Sequence, residues 1–73
     1  MQHHSVKSSA ISSIGYDRDT KTMEVQFTNG ALYVYSDVSP EHFTAFHNAD
    51  SIGRHFAANI SGKFPHQKIQ VDE

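Results

Sequence analysis

Seventy-three residues, 37% hydrophobic and 19% charged, amount to one small globular domain, too apolar to stay disordered and near the lower limit for a self-sufficient core. The absence of cysteine removes disulfides and thiolate-bound zinc as sources of stability, and no apolar run approaches the ~20 residues needed to cross a bilayer. Net charge is −2 but uneven: residues 1–50 sum to −3, residues 51–70 carry Arg54, Lys63 and Lys68 without an acid, and Asp72 and Glu73 follow.

Residues 1–7 lack the apolar block of a secretory signal and read as a flexible lead-in, so a cytoplasmic protein is expected. Residues 8–16, Ser-Ser-Ala-Ile-Ser-Ser-Ile-Gly-Tyr, read as a first strand. Ile11 and Ile14 would fall on opposite faces of an unbroken strand, which calls for a bulge or for cover on both sides. Residues 17–21 are polar throughout and form a turn.

Residues 23–35 then read as a hairpin closed by Asn29-Gly30, a dipeptide suited to the two positive-φ positions of a type I′ turn. A two-residue turn sets Phe27 opposite Leu32, Gln26 opposite Tyr33, Val25 opposite Val34 and Glu24 opposite Tyr35. Met23, Val25, Phe27, Leu32 and Val34 would then share the face that docks helices, with Glu24, Gln26, Tyr33 and Tyr35 on the other. The alternative, in which helices or Phe64 roof the tyrosines, leaves the aliphatic face to be buried by something else.

Ser39-Pro40-Glu41 opens a first helix: a cap, a proline at the first helical position, and an acid at the positive dipole end. It runs to about Asn48 with Phe43, Phe46 and His47 on one side, His47 beside the helix–helix seam. Asp50-Ser51 offers a second cap, and Ile52, Phe56 and Ile60 form the narrow apolar stripe of a second helix ending at Ser61-Gly62. Gly53 in its first turn suggests close packing. Residues 66–73 are a tail or, through the alternation Lys68-Ile69-Gln70-Val71, an edge strand. The expected fold is α+β: a three-stranded antiparallel meander followed by two short helices packed on one face, one domain over residues 8–65.

Chemistry-bearing motifs are sparse. Six histidines are many for this length, yet His42 and His47 are five apart, about 140° around a helix, and no i, i+4 pair exists. No serine sits in a Gly-x-Ser-x-Gly turn, no histidine–carboxylate partnership is readable from spacing, and the four glycines stand singly. The sequence therefore assigns no catalytic residue, metal ligand or cofactor, and an enzyme is not expected. Binding is the better expectation. Tyr33 and Tyr35, about 7 Å apart along one strand face, could stack on successive unpaired bases. Gln26 could meet a base edge, and Arg54, Lys63 and Lys68 could meet phosphates. Histidine protonation near pH 6 would favour anion binding in acid. The alternative partner is a protein or a second copy of the chain, anchored by the same tyrosines.

Three blocks carry a family resemblance: Ser8-Ser9-x-Ile11-x-x-Ile14-Gly15-Tyr16-Asp17, Phe27-x-Asn29-Gly30-x-x-Tyr33-x-Tyr35-x-x-Val38-Ser39-Pro40, and Ala49-x-Ser51-x-Gly53-x-x-Phe56-x-x-x-Ile60. Together they resemble the KTSC domain over about residues 7–64, a domain found at the C-terminus of some lysyl-tRNA synthetases and as free-standing bacterial and phage-type proteins. The family is of unknown function, with RNA binding suggested by its synthetase context, and its central Tyr-x-Tyr motif corresponds to Tyr33 and Tyr35 here. The histidine-rich start and acidic end lie outside the family pattern, and the acidic balance of residues 1–50 argues for a local site over broad, charge-driven RNA affinity.

Overall fold

A computed structural model describes residues 3–69. Strands β1 (His3–Ser5), β2 (Ile11–Asp17), β3 (Thr22–Phe27) and β4 (Leu32–Tyr35) are followed by helices α1 (Pro40–His47) and α2 (Ile52–Asn59) and a final strand, β5 (His66–Ile69). The strands form one antiparallel sheet in chain order, with both helices inserted between β4 and β5. The sheet has five strands where three are read from the sequence. His3–Ser5, placed in the lead-in, pairs with Ser13–Gly15, and the edge-strand alternative for the C-terminal stretch is realised by His66–Ile69 against β4. Gln70 and Val71 lie outside the described residues.

The bulge expected in β2 is present. Ile11 pairs with Phe27 but Ser13 with Gln26, so Ser12 is the extra residue. That one insertion turns Ile11 and Ile14 to the same side, and both are buried.

The β3–β4 hairpin corrects the expected register by one residue. Met23 pairs with Tyr35, Glu24 with Val34, Val25 with Tyr33 and Gln26 with Leu32. The connection holds three residues, Thr28-Asn29-Gly30. The Gly30 N–H donates to the Phe27 carbonyl at 3.0 Å, and the Phe27 N–H donates to the Ala31 carbonyl at 2.8 Å. Gly30 alone in this loop has positive φ (+94°), the signature of a type I turn followed by a left-handed residue. Asn29 contributes its side chain, whose Oδ1 accepts the Ala31 N–H at 3.0 Å.

A slip of one exchanges the faces of β4 relative to β3. Tyr33 and Tyr35 join Met23, Val25 and Phe27 under the helices, while Leu32 and Val34 join Glu24 and Gln26 on the open side. Packing explains the choice, because each aromatic ring brings 150–250 Å² to a buried face, more than the aliphatic chains it displaces. Tyr35 is 3% exposed and belongs to the core with Ile11, Ile14, Met23, Val25, Val38, Phe46, Ile52 and Ile60.

The helix signals behave as read. Ser39 Oγ accepts the His42 N–H and Ser51 Oγ accepts the Arg54 N–H, each at 3.3 Å. Ile52 and Ile60 of the second stripe are buried and Phe56 half-buried, and Gly62 past the helix has φ +74°. The expected tight contact at Gly53 is a loose one: a Cβ there would stand 3.4 Å from Ser8 Oγ. Nor does His47 lie at the helix–helix seam. It is exposed at the end of α1, and His55 stacks on Phe46 there instead, with ring centroids 5.6 Å apart.

Candidate functional site

The three-residue hairpin loop, the β4–β5 pairing and the turn after α2 enclose a groove of about 390 Å³. Its floor is aromatic. Tyr33 and Tyr35 lie 6.4 Å apart at 24°, Phe27 meets Tyr33 edge-on at 5.4 Å, and Phe56 of α2 meets Phe27 and Tyr35 edge-on at 5.4 and 5.8 Å. His66 and Lys68, opposite Tyr35 and Tyr33 on β5, form one wall. The His66 ring tilts over both tyrosines, at 5.4 Å from Tyr35 and 6.1 Å from Tyr33. Asn29 and the Ser61-Gly62 turn complete the rim. Burial, and secondarily the neighbouring Tyr33, raise the Tyr35 phenol above its ordinary pKa. At neutral pH the phenol is an un-ionised hydroxyl, able both to donate and to accept.

Of the six residues singled out from sequence, Tyr33, Tyr35 and Lys68 line this groove. Lys63 is exposed and follows Gly62 in sequence but is not part of the lining. Gln26 is on the opposite side of the sheet, where its Oε1 accepts from Ser13 Oγ at 3.3 Å, so it does not share the tyrosines' face. Arg54 is exposed in the first turn of α2 and lines none of the groove. Phe27, Phe56 and His66, none of them singled out from sequence for binding, complete the lining. The period-2 pattern would have shown Phe27 beside the tyrosines had the hairpin loop been counted as three residues.

A larger cavity, about 460 Å³, opens between β1, β2 and α1 against Tyr16 and Phe43. Tyr16 stacks on Phe43 at 4.8 Å, and its hydroxyl donates to the Val38 carbonyl. Burial first, then the Glu41 carboxylate, raise the Tyr16 phenol as well. This cavity gathers neither tyrosine of the β4 pair.

The open sheet face holds the histidine–carboxylate pairing that spacing could not reveal. His3 Nε2 stands 2.6 Å from Glu24 Oε1, and His3 Nδ1 3.0 Å from Ser13 Oγ. Three strands supply the three groups, 10 and 21 residues apart in sequence, and together they fasten β1 to the sheet. Among the described residues, no cluster of three or more His, Cys, Asp or Glu side chains is arranged to hold a metal ion, and no helix is long and apolar enough to cross a membrane.

Fold and groove together define a small α+β domain with a Tyr-x-Tyr strand against two capped helices. The KTSC domain model covers residues 7–64, and the chain belongs to that family. An uncharacterized protein of Stutzerimonas stutzeri is 46% identical over 56 residues, 77% of this chain and 79% of its own. A lysine–tRNA ligase of Nostoc punctiforme is 34% identical over 61 residues, 84% of this chain but 11% of the ligase. The crystal structure of a KTSC domain protein from Yersinia pestis superposes with a TM-score of 0.89 at 43% identity, covering 94% of this chain and 97% of that one.

Proposed function

We propose that this domain is a non-enzymatic binding module that holds an unpaired RNA nucleotide in the Tyr33–Tyr35 groove. The observation that carries the reading is the juxtaposition of Tyr33, half-buried on an aromatic floor, with Lys68 directly opposite it on β5. The ring offers a π-surface to a base, and the ammonium offers a counter-charge to the phosphate beside it. Lys63, next to Gly62 in sequence, adds positive charge, and residues 51–69 contain no acid. The groove volume falls in the range of small-ligand sites. One base, instead of two stacked on an open sheet, suits a site in which Tyr35 is already covered. The kinship with part of a lysine–tRNA ligase supports RNA as the ligand class.

The test is fluorescence anisotropy with a labelled single-stranded RNA oligonucleotide across a salt series. Tyr33→Leu, which keeps apolar volume in the fold, should weaken binding by about 5- to 150-fold, the range of one lost base stack. Lys68→Ala should lower the slope of log affinity against log salt by about one. Unchanged affinity in Tyr33→Leu would refute the site.

A second reading, association with a protein or a second copy, draws on Leu32, Val34 and Ile69, which line up half-exposed on the open sheet face. It calls for a mass in sedimentation that rises with concentration, and for little response to salt.

A further inference from the structure

Two of the six histidines stand together where neither the groove nor the sheet network uses them. His4 of β1 points to the helical side of the sheet, its position fixed by pairing with Ile14, and His47 is the last residue of α1. Their ring centroids are 5.6 Å apart with planes at 72°, and both residues are exposed. Neither ring is hydrogen-bonded among the described residues, whereas His3 is engaged by Ser13 and Glu24. We propose that His4 and His47 form a two-histidine site for a zinc-class divalent ion that ties strand β1 to helix α1.

The ring spacing is close to that of two imidazoles sharing one ion. With Zn–N bonds of about 2.0–2.1 Å, each imidazole centre lies about 3.2 Å from the metal, and two such rings at a tetrahedral angle have centres about 5.2 Å apart. The observed spacing exceeds this by a few tenths of an ångström, and the edge-to-face rings must rotate about their side-chain bonds, which face water, before a nitrogen of each meets the ion. Both ligands sit on regular secondary structure, and Phe43 stacks on the His47 ring at 5.9 Å and 28°, restricting its orientation. The end of α1 adds the negative pole of the helix, which favours a cation beside His47. Arg18 lines the cavity at His4 and Lys7 the one at His47, while Asp50 lines the latter, so the imidazoles and not the surrounding field must supply the selectivity. Since no third ligand converges among the described residues, water completes the coordination, leaving the ion open to exchange or to a further ligand.

Zinc chloride added to the full chain at neutral pH, with thermal unfolding and imidazole NMR resonances followed together, tests this. The expected result is a rise in Tm that saturates at one ion per chain, accompanied by shifts of the His4 and His47 resonances. His4→Gln and His47→Gln should each abolish the rise, and His42→Gln and His66→Gln should leave it intact. Because both rings are exposed, the zinc-free Tm of each variant should stay within a few degrees of wild type. Should either substitution lower that baseline, the resonance shifts of the wild-type chain decide. A Tm unmoved at millimolar zinc, shifts confined to other histidines, or a rise that survives either substitution would overturn the proposal.

Discussion

Replacing Tyr35 with alanine probes the hairpin register through its energetic consequence. The ring is 3% exposed and touches the rings of Tyr33, Phe56 and His66. Truncating a buried aromatic costs about 3–5 kcal/mol in lost transfer and residual cavity. A chain of 73 residues has a total stability of about 4–11 kcal/mol at 0.05–0.15 kcal/mol per residue, so Tyr35→Ala should remove between about a quarter and all of it. At about 4–8 °C per kcal/mol for a domain of this size, the Tm should fall by at least about 12 °C. Tyr35→Leu, which refills most of the space, should lose about 1–2 kcal/mol and remain measurable if the alanine variant does not fold. Urea unfolding followed by circular dichroism reads both, with an unchanged slope showing that the denatured state is not what moved. A loss below about 1 kcal/mol for Tyr35→Ala would place the ring in water and refute the register.

Further expectations follow from the same geometry. Gly30→Ala puts a Cβ on a residue at φ +94° with no atom within 4 Å, so backbone strain alone should cost about 1–2 kcal/mol, while Asn29→Ala should cost under about 1 kcal/mol; equal losses in urea unfolding would indicate a two-residue turn. Gly53→Ala should stabilise by about 0.5–1 kcal/mol in the same assay, since the added methyl meets only Ser8 Oγ at 3.4 Å; destabilisation would mean that contact is tighter than it stands. Tyr16 and Tyr35 both have raised phenol pKa values, so above pH 10 the unfolded chain sheds protons the folded one keeps. Their stabilising contribution is complete below pH 10 and declines as pH rises through the folded values, and a Tm-against-pH curve should flatten in that window in Tyr35→Phe.

What was legible in the sequence is what local chemistry decides. Ser39, Ser51 and Gly62 mark helix ends because capping depends on residues within one turn. Ile11 and Ile14 signal a bulge or a strand covered on both sides, because aliphatics three apart cannot share an unbroken strand face, and the structure takes the bulge. Asn29-Gly30 was ambiguous for an equally local reason: glycine suits position two of a type I′ turn and also the left-handed residue that ends a three-residue loop. The choice between them turns on whether Tyr33 and Tyr35 or Leu32 and Val34 meet Phe56, which is nearly thirty residues from the start of the loop in sequence. The same blindness to distance hid the His3–Glu24 contact and separated Gln26 from the tyrosines it was expected to assist. Lys68, on a strand read only as one alternative, needed its pairing with Tyr33 before it could be placed at the groove.

The tyrosine pair is the point where fold and proposed function meet, so the most direct measurement observes it while ligand is added. Titration of isotope-labelled protein with a short single-stranded RNA, followed through aromatic and amide resonances, should shift Tyr33, Phe56, His66 and Lys68 together. Shifts confined to Gln26, Leu32 and Val34 on the open face, or none at millimolar RNA, would contradict the account.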